Sequence, residues 1–258
     1  MKTFTTTMGR LSALVLLLFV STNLFAQVFR VYTKDGLHQE YAAENVDSIV
    51  FFTQPSDEPS DNPDPILPEP VLPDMHEAVD LGLSVKWATC NVGASSPEEY
   101  GDYFAWGETT TTSSYDESNC TTYALSTSEL QSRGIIGDDG NLTAAYDAAT
   151  ANWGGSWRMP TLDEIKELLN NCTWTWTTQN GVKGRKVTGP NGNSIFLPAA
   201  GRRYGTDDLH GAGSHGFYWS AAPCSFIDSA YDLGFNSDYY YWYGDFRYYG
   251  HSVRPVSD

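Results

Sequence analysis

Apolar and polar positions change their rhythm several times along the chain, and each rhythm predicts a different element. Residues 28–53, VFRVYTKDGLHQEYAAENVDSIVFFT, alternate around a Lys34-Asp35-Gly36 turn, which predicts a short hairpin followed by a third strand. Further on, Leu162, Ile165, Leu168 and Leu169 recur at helical spacing within TLDEIKELLN. Thr161 stands where it can cap the open amides of that helix, and Glu164 where it can complete a capping box. A second, weaker helix is expected over 144–149. Beyond residue 170 strand signals take over: GRKVTG, a Pro190-Asn191-Gly192 turn and SIFLPAAG read as a hairpin. More strands are expected at 216–221, 229–235 and 249–256. Two helices followed by a strand-rich, loop-rich C-terminal half is an α+β pattern.

The stretches between these patterns set the domain organisation. Lys2 and Arg10, an apolar run from Leu11 to Val20 and small residues ending at Ala26 read as a signal peptide, 1–26, whose apolar run is too short to span a bilayer. No cysteine follows it, so the usual bacterial lipid-anchor position is missing and the mature chain is expected to be exported without a transmembrane segment. Residues 27–53 form a module too small to bury a secure core alone, so it must dock, either as a strand added to the main domain or as an attachment element for a surface-anchoring partner. Residues 54–74 hold seven of the 13 prolines and six acids with no base, the composition of an extended linker. Residues 75–258 read as one domain.

Charge then narrows the partners. Export would remove two bases and no acid, leaving 13 basic against 32 acidic side chains, a formal charge of −19. Nucleic acid is a poor partner for such a chain. Four cysteines, Cys90, Cys120, Cys172 and Cys224, allow three fully paired connectivities, yet a domain of this size needs no staples and free buried thiols are at least as reasonable.

The segments AVDLGLSVKWATCNVGASSPEEYGDYFAWG (78–107), NWGGSWRMPTLDEIKELL, SIFLPAAG, FYWSA and GHSVRPV together resemble the Fibrobacter succinogenes major paralogous domain of Bacteroidetes surface proteins. WRMPTLDE (157–164) and SVRPV also resemble the helix start and closing strand of the formylglycine-generating-enzyme type of C-type-lectin-like fold. The resemblance implies a compact α+β lectin-like domain whose N- and C-terminal strands meet and whose irregular loops form a binding face. The oxidase of that fold needs two neighbouring cysteines for copper, and the matching C-terminal region here has Cys224 alone.

Other chemistry is sparse. His210 and His215 sit in LHGAGSHG at no helical metal-ligand spacing, and no nucleophile elbow or phosphate loop stands out. The chain is expected not to be an enzyme and to need no cofactor. Calcium held by Asp207, Asp208 and loop carbonyls is chemically reasonable, although carboxylate-rich loops are usually just solvated.

What remains is CSFIDSAYDLGFNSDYYYWYGDFRYY (224–249), written almost wholly in the Tyr, Ser, Gly, Asn and Asp alphabet of adaptable binding surfaces. The bland alternative is core filling, but three consecutive tyrosines cannot all point inward from a strand. The expected recognition face is Asp228, Asp232, Asp238, Tyr239, Tyr240, Tyr241, Tyr243, Asp245, Phe246, Tyr248 and Tyr249, with Trp242 packed inward and Arg247 pairing a buried carboxylate or carbonyl. Its ligand would be a protein or a glycan. From Val187 to Asp258 the chain has no Lys, Glu, Gln or Met. This resembles the variable proteins of diversity-generating retroelements, in which adenine mutagenesis of asparagine codons cannot yield those residues. A structural or pilus-tip-like subunit that assembles through the same face is the competing function.

Overall fold

The computed structural model describes residues 76–206 and 208–258, together with the backbone of two strands nearer the N-terminus. The chain divides into two compact units, Met1–Glu69 and Pro70–Asp258. In the first, β1 (Val28–Tyr32) pairs antiparallel with β2 (His38–Ala42), with Val28 opposite Ala42, as the alternation predicts. The expected turn at 34–36, the third strand, the signal peptide and the linker lie outside the described residues.

The second unit is mixed and strand-rich, in keeping with the α+β expectation. It has three α-helices among the described residues, one more than expected. α1 (Thr127–Ser132) has a capping box between Ser126 and Glu129 and buries Leu130 alone, so its single apolar contact leaves almost no periodic signal. α2 (Ala148–Trp153) begins four residues later than predicted, because the Asp147 carboxylate accepts from the amide of Thr150 and fixes the start there. α3 (Leu162–Asn171) has the predicted Thr161 cap and the reciprocal Glu164 bond, and buries Ile165 and Leu168.

Strands β3 (Ala78–Asp80) and β4 (Lys86–Ala88) form one sheet with the last strand, β13 (Val256–Ser257), in the order β13-β4-β3. A second sheet, β5-β6-β7, combines Thr173–Gln179, Val182–Thr188 and Ser194–Pro198; β6 and β7 are the expected hairpin and β5 an unforeseen third strand. β8 (Arg202–Tyr204) and β9 (Asp208–His210) make a small ribbon. The third sheet carries the candidate site: β10 (Gly216–Pro223), β11 (Ser229–Phe235) and β12 (Tyr240–Phe246), all antiparallel, with β12 at the edge. The strand expected at 249–256 is instead irregular, crossing the fold by single bridges at Gly250, His251 and Ser252 before β13 begins.

Alternation in β10 and β11 separates two cores. Tyr218, Leu233 and Phe235 join Ile165 and Leu168 of α3 on one side. Trp219 and Ala230 join Trp106, Phe104 and Val253 on the other. The sheet therefore sits between α3 and a loop-built layer, and β12 continues both of its faces outward. All four cysteines are free. Among the described residues no helix is long and apolar enough to cross a membrane.

Candidate ligand-binding face

The triplet Tyr239-Tyr240-Tyr241 falls at the end of a tight turn. The Asn236 side chain accepts from the amides of Asp238 and Tyr239, and the Asn236 amide donates to the Tyr239 carbonyl, so the chain reverses and enters β12 in register with β11. YYWYGDF is thus a regular strand, and its alternation splits the expected recognition set between two faces. Tyr240 and Trp242 lie on the α3 side, opposite Phe235 and Leu233; Tyr241, Tyr243 and Asp245 lie on the other, opposite Gly234, Asp232 and Ala230. Gly234 matters here, because a Cβ at that position would meet the Tyr241 ring at 2.8 Å.

Exposure sorts the predicted residues. Asp238, Tyr239, Tyr240, Tyr243 and Phe246 are exposed. Tyr241, Tyr248, Tyr249 and Asp228 are half-buried. Tyr248 lies edge-on to Tyr123 at 5.3 Å, and burial pushes its hydroxyl up to about 12. Tyr249 takes the Arg202 guanidinium on its ring at 4.5 Å. Asp228 accepts from the Ser229 hydroxyl.

Three expectations fail. Asp232 cannot contact a ligand at the surface: it is 2% exposed, because alternation in β11 turns it into the layer that holds Trp219. Asp245 is mostly covered and hydrogen-bonded to Arg202. Trp242 is the third correction. It was expected to pack inward, yet it stays 44% exposed on the edge strand, edge-on to Tyr231 at 5.5 Å with the Lys166 ammonium 5.3 Å from its ring centre. Arg247 is fully buried, and its guanidinium donates to the carbonyls of Ser229, Thr122 and Leu125.

Several residues at or beneath this surface carry no sequence signal. Phe226 and Ile227 are exposed in the β10–β11 connection, at the end of the sheet where Ser229 pairs with Phe246. Arg202 is stacked between Phe217 and Tyr249. His251 sits inside GHSVRPV, a segment that otherwise reads as framework. Its ring stacks on Trp219 at 4.0 Å, and burial holds it well below the usual imidazole range. Among the described residues, Asp232, Asp245 and His251 form a group of possible metal ligands whose donor atoms lie within 4.8 Å of one another. The anticipated calcium loop is different: Asp208 is exposed in β9, His210 stacks on Tyr204, and Asp207 lies outside the described residues.

Two clefts elsewhere, one lined by Asp102, Tyr103, Tyr115 and Arg203 and another by Pro97, Lys186 and Phe196, contain none of the expected recognition residues. An edge strand bearing exposed aromatics suits an extended or macromolecular ligand better than an enclosed small molecule.

The tyrosines of β12 are not equivalent in energy. Tyr240 stacks on Trp174 at 4.9 Å and lies 5.4 Å from the Arg185 guanidinium, whereas Tyr243 is 66% exposed with no ring partner among the described residues. Chemical denaturation is expected to show Tyr240→Ala losing about 1–2 kcal/mol. Tyr243→Ala should stay within about 0.5 kcal/mol of the parent. Equal losses would mean that the two rings share one environment.

No family model, no curated protein and no solved structure matches the chain.

Proposed function

We propose that the chain is an exported, non-enzymatic binding protein whose residues 75–258 form a C-type-lectin-like domain and recognise a protein or glycan through β12 and its flanking turns. One observation carries the reading: Tyr239, Tyr240, Trp242, Tyr243 and Phe246 are all exposed on and beside a single edge strand. Isolated exposed aromatics need no explanation, but a cluster of them along one edge strand is rarely kept by a monomer without use. Tyrosine supplies broad apolar contact with a polar tip at low ordering cost, which serves protein anchors and sugar stacking alike.

The lectin-like assignment draws support from the pairing of β13 with β4, near the start of the domain, and from the WRMPTLDE segment. There Trp157 is buried, Arg158 binds Glu164 and Asp258, and Thr161 caps α3. Retroelement diversification fits the same surface, because exposed Tyr and Asp positions alternate along it with buried framework such as Arg247. In this reading the β1–β2 hairpin and the acidic linker serve attachment and spacing.

The test is a Tyr240→Ala, Tyr241→Ala, Tyr243→Ala variant on glycan and surface-protein arrays. Binding should be lost while the urea midpoint falls only by the share expected from Tyr240 and its half-buried neighbour. A triple variant that unfolds, or one that binds as the parent does, would remove the reading. In the gene neighbourhood, diversification requires a reverse transcriptase and a near-repeat whose adenine mismatches fall on the exposed codons. The outer edge of β12 has no partner strand among the described residues, which favours strand addition by another chain as the second reading. Size-exclusion chromatography separates the two: a concentration-independent oligomer that shields Tyr239 to Tyr249 belongs to the structural subunit.

A further inference from the structure

The face of the β10–β11–β12 sheet that turns away from α3 buries a set of ionisable groups without completing their bonding. Asp232 is 2% exposed and His251 is fully buried. Asp232 Oδ1 and both ring nitrogens of His251 have no hydrogen-bond partner. Asp245 reaches the same place from β12, directly across from Ala230. Leaving a carboxylate and an imidazole unanswered in an interior costs several kcal/mol, so such a set persists where something satisfies it. Arg202 meets part of the need, but its hydrogen bond goes to Asp245, and the His251 ring stands between the two carboxylates.

The spacing indicates what completes the set. His251 Nδ1 is 3.8 Å from Asp232 Oδ2, and His251 Nε2 is 3.6 Å from Asp245 Oδ2. These gaps are too long for a shared proton. One donor atom from each of the three residues lies within 4.8 Å of the other two, so small side-chain shifts bring one ring nitrogen and both carboxylates to ~2.1 Å from a single ion. The ring is also rigidly placed: it stacks on Trp219, and the His251 backbone exchanges both of its hydrogen bonds with Phe104. We propose that Asp232, Asp245 and His251 bind a divalent cation of the Zn2+ or Mn2+ class, on the sheet face shared with Tyr241 and Tyr243. One imidazole nitrogen and two carboxylate oxygens suit such borderline ions better than thiophilic ones. Three protein ligands leave positions open, and the partly exposed Asp245 gives the ion its way in. Arg202 competes with the ion for Asp245 Oδ2, so its charge limits affinity.

Equilibrium dialysis of the full chain, stripped with chelator and then offered Mn2+, Zn2+ or Ca2+ separately, tests the site with the metal alone as probe. The result is therefore independent of what β12 recognises. Mn2+ is the decisive ion because the four free thiols bind it poorly. One equivalent is expected, weakened ~100-fold by Asp232→Asn. Arg202→Gln should tighten binding about tenfold, since a positive charge beside the ligands is removed. A folding defect cannot produce that gain. Failure to bind stoichiometric Mn2+ would overturn the site. So would metal held equally by the parent and both variants, or only Zn2+ retained by the Asp232→Asn chain, which would point to the thiols, or only Ca2+, which would point to the Asp208 loop.

Discussion

Replacing Arg254 with alanine is expected to lower the stability of the 76–258 domain by about 3–5 kcal/mol. Arg254 is 1% exposed, and its guanidinium donates to Asn91 Oδ1 and to the carbonyls of Ala88, Thr89 and Phe196. All four acceptors are neutral. Burial pulls the group below the usual arginine range, and carbonyl dipoles rather than a carboxylate hold the charge in place. The acceptors come from the end of β4 and the loop after it and from β7, so one side chain near the C-terminus ties together two sheets that do not share a hydrogen bond through their strands. Truncation would leave several buried acceptors without donors as well as a cavity. Lysine should not rescue, because its single ammonium cannot reach in the several directions that the planar fork spans. Urea denaturation gives the measurement: a midpoint for Arg254→Ala within error of the parent would show that the carbonyls are answered in another way.

Arg254 also illustrates what could be read in advance. Elements with a strong local code were legible: the Thr161–Glu164 capping box with its apolar stripe, and the Pro190-Asn191-Gly192 hairpin. Each depends on residues within one turn of the chain. α1 was not, since six residues with one buried leucine do not make a periodicity. The stretch 249–256 is not the expected strand because its backbone bonds go in turn to Arg203, Phe104, Phe217 and Arg158 instead of to one neighbouring strand. Non-local pairing of that kind leaves no trace in spacing.

The candidate face was legible in composition and blurred in geometry. Consecutive tyrosines do require outward-facing rings, and Tyr239, Tyr240 and Tyr243 supply them. Which acids accompany them depends on strand register. Asp232 and Asp238 look alike in the sequence, but one lies mid-strand in β11 facing the interior and the other in the turn at its end. Trp242 was misjudged for a related reason: size and hydrophobicity suggest burial, but an edge strand has no further neighbour to cover it.

Neutralising Asp232 should weaken the loss of stability with rising pH when metal is kept away by chelator. Burial, and the charge of Asp245 beside it, raise the Asp232 carboxyl well above 3.8; burial and the nearby Arg202 hold His251 well below 6.5. The unfolded chain therefore releases the Asp232 proton above about pH 3.9 while the folded chain keeps it. That contribution is complete at lower pH and is lost as pH rises toward the folded value. His251 acts in the opposite sense, since below about pH 6.5 the unfolded imidazole takes up a proton that the folded one refuses. Between these limits the two slopes, each about 1.4 kcal/mol per pH unit, oppose one another. Above about pH 6.5 His251 falls silent, and the parent should lose stability with rising pH. Asp245, also raised, has the same sign as Asp232 and is common to both proteins. Asp232→Asn removes the Asp232 loss. It should be the more stable protein at pH 8 by about 2–4 kcal/mol, and below pH 6.5 its His251 loss should be opposed by Asp245 alone. Urea midpoints at pH 5, 6.5 and 8 read this directly. An asparagine variant less stable than the parent at pH 8 would mean that the Asp232 charge is already answered inside the folded domain.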